Sequence, residues 1–169
     1  VFNEKLTGNF SFGYDHYDYQ NDETVEEPSA ARLSFAINQW FGKADFVYDT
    51  NHGHGLNFGL ISQFYNIDPG TYEPLGANSL VKRNVLQQDR ALESAVYVGD
   101  QWDITSKLSV NAGIRYSIFN ALGPRTYYTY QEGMLPSSSS VVDSISAGSG
   151  KVIRTYHGPE FRLSGRYAF

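Results

Sequence analysis

The sequence predicts an all-β chain of antiparallel strands, and three observations carry that prediction. The first is Leu108–Ile118, where Leu108, Val110, Ala112, Ile114, Tyr116 and Ile118 are apolar and Ser109, Asn111, Gly113, Arg115 and Ser117 are small or polar. A strand points successive side chains to opposite faces, so this stretch has one oily face and one wet face. The second is that weaker copies of the pattern recur along the chain, separated alternately by short turns and long polar loops. The third is composition: 13 Tyr, 11 Phe and 16 Gly, with one Met and no Cys, favour strands over helices.

Six strands are expected in order. The first spans Leu6 to Tyr19, with Leu6, Phe10, Phe12 and Tyr14 on one face and Thr7, Asn9, Ser11 and Asp15 on the other. An acidic loop, Gln20 to Pro28, follows it. The second, Arg32 to Asp49, changes phase: Leu33, Phe35 and Ile37 are odd, whereas Ala44, Phe46 and Tyr48 are even. One extra residue flips every later side chain, so a bulge is expected near Trp40–Gly42. The turn Asn51-His-Gly-His-Gly55 leads into the third strand, Leu56 to Ile67, with Leu56, Phe58, Leu60 and Phe64 together.

A loop is expected from Asp68 to Arg90, with Pro69-Gly70 as a turn signal. The fourth strand, Leu92 to Ile104, carries Leu92, Val96, Val98, Trp102 and Ile104 on one face, interrupted by Asp100. Thr105–Lys107 turns into the fifth strand, Leu108–Ile118. A long Ser-, Gly- and Tyr-rich loop from Gly123 to Glu160 then precedes the sixth, where Phe161, Leu163, Tyr167 and Phe169 oppose Arg162, Ser164 and Arg166.

Loops thus run long, short, long, short, long. A sandwich has no reason to sort its loops this way, but a transmembrane barrel does, with short turns on the periplasmic side and long loops outside. Aromatics near strand ends (Tyr14, Tyr17, Tyr19, Phe46, Tyr48 and Trp102) suit interfacial girdles. No apolar run is long enough for a membrane-spanning helix. The chain's net charge of −5 gives no reason to expect nucleic acid as a partner, and the absence of Cys rules out a disulfide framework and a zinc–thiolate site. No cofactor is expected.

The run Tyr97-Val-Gly-Asp-Gln-Trp-Asp-Ile-Thr-Ser-Lys-Leu-Ser-Val-Asn-Ala-Gly-Ile-Arg-Tyr116 resembles the barrel of TonB-dependent outer-membrane receptors, especially those of Bacteroidota. Gly158-Pro-Glu-Phe-Arg-Leu-Ser-Gly-Arg-Tyr167 is similar to a falling strand of the same barrels. The resemblance implies a 22-stranded barrel, an N-terminal plug, and active nutrient uptake driven through the TonB system. Its implied partners are outer-membrane lipid and lipopolysaccharide, the rest of the barrel and its plug, TonB, and a surface lipoprotein. Six strands are fewer than the smallest outer-membrane barrels use, so residues 1–169 are expected to form part of a larger barrel without the plug.

Catalysis is not expected. Asp15, His16 and Asp18 hint at acid–base or metal chemistry, but in a strand Asp15 and His16 point to opposite faces. His52 and His54 share a face at i and i+2, yet two His without a carboxylate or Cys make a poor metal site. The acidic run Asp22–Glu27 reads as a solvated loop. Tyr127, Tyr128 and Tyr130 in the last loop are the candidate ligand contacts, because aromatic rings exposed at an outer rim stack on ligands. They should be better ordered than the Ser/Gly-rich Ser137–Gly150 portion, which is expected to be mobile. Three functions fit: a segment of an uptake receptor, a structural, porin-like or adhesive barrel, and a soluble β-rich binding module.

Overall fold

A computed structural model describes residues 3–50 and 53–169. Within them lie β1 (Leu6–Glu23), β2 (Ala31–Asp49), β3 (His54–Pro74), β4 (Asn84–Val85), β5 (Asp89–Asp103), β6 (Leu108–Leu122), β7 (Arg125–Tyr130), β8 (Val141–Ala147) and β9 (Val152–Tyr167). The long strands form one antiparallel sheet in the order β1-β2-β3-β5-β6-β9, each paired with its neighbour in sequence apart from the short inserted pieces. β4 pairs with the outer end of β3, and β7 with β8 forms a separate hairpin. All six expected strands are present, and the fold is all-β as predicted.

Alternation decides the two faces. On one face Phe46 stacks on Phe58 at 5.3 Å and meets Phe10 edge-on at 5.7 Å, while Trp40 packs on Phe12 and Tyr14. These side chains are not covered: Phe10, Leu60, Val96, Ile114, Phe161 and Leu163 all stand exposed. The fully buried apolar residues among those described are four alanines, Ala30, Ala31, Ala91 and Ala95. A water-soluble domain of this size buries a sizeable apolar core, whereas this sheet turns its apolar side chains outward. The opposite face is polar and concave, since strands β2, β3, β5, β6 and β9 together wall one hollow of about 780 Å³.

The structure corrects the expected end of the first strand, the place of the irregularity in β2 and the reading of Pro69-Gly70. β1 continues to Glu23 in place of an acidic loop from Gln20, because Asp22 lies opposite Arg32 and accepts its guanidinium. No bulge occurs at Trp40–Gly42, where both ladders of β2 are regular. The irregularity lies higher, between Ser34 and Ala36, where Phe35 opposes both Pro69 and Gly70. Pro69-Gly70 is therefore a bulge within β3 and not a turn: proline has no N–H for the ladder, and Gly70 takes φ 148°.

The stretch expected as one loop from Gly123 to Glu160 holds the β7–β8 hairpin and the first half of β9. Its Ser137–Gly150 portion, expected to be mobile, contains β8 and a tight turn. In that turn Ser140 is buried and donates to the carbonyl of Leu135, and Ser137 and Ser140 cap each other's backbone.

Candidate functional site

The polar face is organised in cross-strand rows. Lys43 reaches Asp45 at 2.9 Å. Tyr97 on β5 lies flat across Gly59 of β3 and donates its hydroxyl to Asp45 on β2. Beside Tyr97, Arg115 sits between Glu93 at 3.4 Å and Glu160 at 3.7 Å, and Ser117 donates to Glu160. Tyr65 donates to Gln63 at 2.6 Å. These groups are half-exposed and mutually satisfied, as suits side chains facing water and not a dry core.

Above this ladder stands the hairpin. Arg125 forms an ion pair with Asp89 at the start of β5, and Gln87 accepts from the Thr126 amide at 3.1 Å. Arg90 donates to Ser149 at 3.0 Å. The hairpin is thereby tied to the strand end beside it. Of the three candidate tyrosines, Tyr127 lies on one face, with Arg125 over its ring at 5.1 Å. Tyr128 and Tyr130 lie on the other face, where Thr126 and Ser146 share a hydroxyl contact of 3.0 Å. Two of the three thus share a face of the hairpin, and the third lies on the other.

The sequence profile of the family described as outer membrane beta barrel domain matches residues 2–152. The chain belongs to that family. No curated protein and no solved structure matches it. As an outer-membrane β-barrel domain it lies in the bacterial outer membrane, with its apolar face toward lipid and its polar, hollow face toward the barrel interior. Short turns in such barrels are periplasmic, which places the β2–β3 and β5–β6 connections on the periplasmic side and the β7–β8 hairpin outside the cell.

The lipid belt is legible in the side chains. On β2 the lipid-facing positions run from Tyr48 through Phe46, Ala44 and Gly42 to Trp40. At ~3.4 Å per residue and a tilt of ~40° they span about 20 Å along the membrane normal, near the ~25 Å of such barrels. At the periplasmic border Asp100 faces outward, where His54 Nδ1 stands 2.7 Å from it and the His54 ring stacks on Trp102. His52, the other histidine of that turn, lies outside the described residues. At the outer border Tyr14 donates to Asn38, which also meets His16, and His16 turns to Asp18 at 3.2 Å. Asp15 lies on the opposite face, beside Gln39.

Sequence reasoning missed a set of residues above that border. With no bulge at Trp40–Gly42, the phase change in β2 is a change of face. Tyr17, Tyr19, Phe35, Ile37 and Ile67 point to the interior side, with Phe35 against Tyr19 at 5.1 Å. Tyr17 and Tyr19 are therefore not girdle residues, as had been expected. Past the hydrocarbon the outward positions meet water and turn polar (His16, Asp18, Gln20, Asp22), and the apolar set moves inside. The signal was present in the sequence as the odd-to-even switch itself.

In this extracellular extension, the two hydrogen bonds from Arg32 at 2.8 Å hold the Asp22 carboxyl below its ordinary value of 3.8. A depressed folded-state pKa stabilises above the ordinary value, and that contribution is lost as pH falls through the lowered one. Amide protection at the outer ends of β1 and β2, taken relative to the intrinsic exchange rate at each pH, is expected to fall as pH drops below 3.8, while protection around Phe10 and Ala44 is kept. A uniform loss of protection along both strands would show that the pair does not hold these ends.

Proposed function

We propose that this domain is part of a TonB-dependent outer-membrane receptor for active nutrient uptake, of the Bacteroidota type, with ligand captured outside by Tyr127, Tyr128 and Tyr130. The observation that carries the reading is the aromatic hairpin fixed by Arg125–Asp89 beside the outer end of a polar, water-facing wall. Receptor barrels need both parts: loops that meet the ligand and an interior that lets it pass. The resemblance of Tyr97–Tyr116 to receptor strands adds to this. β1 and β9 each have one neighbour among the described residues, and a free edge in lipid is costly, so further strands complete the barrel in this reading. The plug, TonB and a surface lipoprotein are the remaining partners, and the chain is no enzyme.

The test has two steps in the full-length protein. A Cys at Ser138 reacts with a membrane-impermeant thiol reagent on intact cells and a Cys at Ser106 does not; the reverse pattern overturns the sidedness. Replacing Tyr127, Tyr128 and Tyr130 by Ala then lowers growth on the transported nutrient about tenfold or more, with the barrel still heat-modifiable. Undiminished growth removes the tyrosines from capture and favours an adhesive or structural role for the hairpin.

A further inference from the structure

Directly outside the lipid belt stands a row of two amides and a guanidinium. Asn38 on β2 lies opposite Asn66 on β3, and Asn66 lies opposite Arg90 on β5. All three are on the outward face, one row beyond Trp40, Phe64 and Leu92. Each of these three strands is paired on both sides, so no partner is missing for want of a neighbouring strand. Two residues of rise on a strand tilted ~40° put the row about 5 Å outside the Trp40 border, within the headgroup layer.

Hydrogen bonding within the row uses oxygens and leaves donors. Arg90 donates from Nε to Asn66 Oδ1 at 3.1 Å and from Nη1 to Ser149 Oγ, in the β8–β9 turn, at 3.0 Å. An arginine carries donors only, so the atom it meets on Asn66 is the amide oxygen, and the Asn66 NH2 group is left over. Asn38 Oδ1 is likewise taken, by the Tyr14 hydroxyl and the His16 ring, both at 2.7 Å. The NH2 groups of Asn38 and Asn66 and Nη2 of Arg90 have no acceptor among the described residues. Arg90 has no carboxylate partner among them either, whereas Arg32, three rows further out on the same face, takes Asp22. The acids of the next row are engaged, Asp18 with His16 and Asp68 with the Gly70 amide.

We infer that Asn38, Asn66 and Arg90 form a seat for the phosphate of an outer-leaflet lipid headgroup. Ionised phosphate oxygens only accept, and a guanidinium with flanking N–H donors matches them. With strands ~4.8 Å apart the three groups span about 10 Å, so one headgroup lying along the row meets them all. Trp40, Phe64 and Leu92 directly beneath take the upper part of its acyl chains, which a water-soluble anion lacks. The inference goes beyond uptake: it holds for any task of this barrel and needs only the lipid-facing side described above.

The test uses the full-length protein, checked by heat-modifiability and reconstituted in phosphatidylcholine vesicles. A fluorophore on a Cys at Ser94, two rows below Arg90 on the same face, reads quenching by chain-spin-labelled phosphatidic acid or phosphatidylcholine. Phosphatidic acid is expected to be enriched there about fivefold, with no enrichment at a second fluorophore at Val110 near the periplasmic border. Arg90→Gln abolishes the enrichment, Asn66→Ala lowers it, and Arg90→Lys, which keeps the charge but loses the fork, falls between. Equal quenching by the two lipids at Ser94, or an unchanged ratio in Arg90→Gln, overturns the proposal. Loss of the enrichment on adding inorganic phosphate, but not chloride of equal ionic strength, would assign the row to a free anion and overturn the lipid seat.

Discussion

Ile114→Arg is expected to cost about 2–4 kcal/mol of insertion free energy, because it puts a guanidinium against hydrocarbon near the middle of the lipid belt. Ile114 stands in the row Phe46, Phe58, Val98, Ile114, Phe161, all on the lipid face. Arg115→Ile, one residue along, is expected to cost far less. It removes the partner of Glu93 and Glu160, but those side chains are 31% and 47% exposed and water can resolvate them. Urea titrations of folding into lipid vesicles measure both. Equal penalties at the two positions would contradict the facing of β6 and, with it, of every strand paired to β6.

Gly59→Val is expected to be the most damaging change on the interior wall. A Cβ at Gly59 would meet the Ala44 carbonyl and the Tyr97 ring, so the valine must push Tyr97 off its path across β3. Overpacking of this kind costs about 1–3 kcal/mol. Losing the Tyr97 hydrogen bond to the Asp45 carboxylate adds about 1.5–3 kcal/mol. Tyr97→Phe separates the two parts, since it keeps the ring over Gly59 and removes only the hydroxyl. If Tyr97→Phe destabilises as much as Gly59→Val in the same vesicle titration, the glycine is not a saddle for the ring.

How much of this was legible in the sequence depends on what each segment answers to. Leu108–Ile118 reads correctly because it is paired on both sides and has lipid on one face and water on the other, so every residue obeys one rule. Leu33, Phe35 and Ile37 mislead because they lie beyond the membrane, where the rule inverts; a bulge and a change of environment leave the same mark on alternation. The β7–β8 hairpin was hidden by its Ser and Gly content, although Val141-Val142 and Ile145 carry the β-branched signal of a strand. The tyrosines were found as a cluster, but their division into Tyr127 with Arg125 and Tyr128 with Tyr130 follows from the strand they occupy. Arg162 and Arg166 showed their facing in the sequence.

The uninterrupted β1–β2 ladder across the Trp40–Tyr14 border has a mechanical consequence. Its hydrogen bonds are the same above and below that line, so the backbone offers no stop to sliding along the membrane normal. Vertical position is set by side chains alone: slide the sheet up by two residues and Trp40 and Tyr14 leave the hydrocarbon for the outer water; slide it down and His16 and Asn38 enter hydrocarbon while Phe46 approaches the periplasmic water. The domain thus acts as a gauge of bilayer thickness. With a belt of about 20 Å it is matched to a thin membrane, and a thicker one must pinch around it at a cost of fractions of a kcal/mol per Å. Lipid thinning around such a belt would anchor the barrel at a fixed height and hold its outer hairpin at a constant distance from the cell surface.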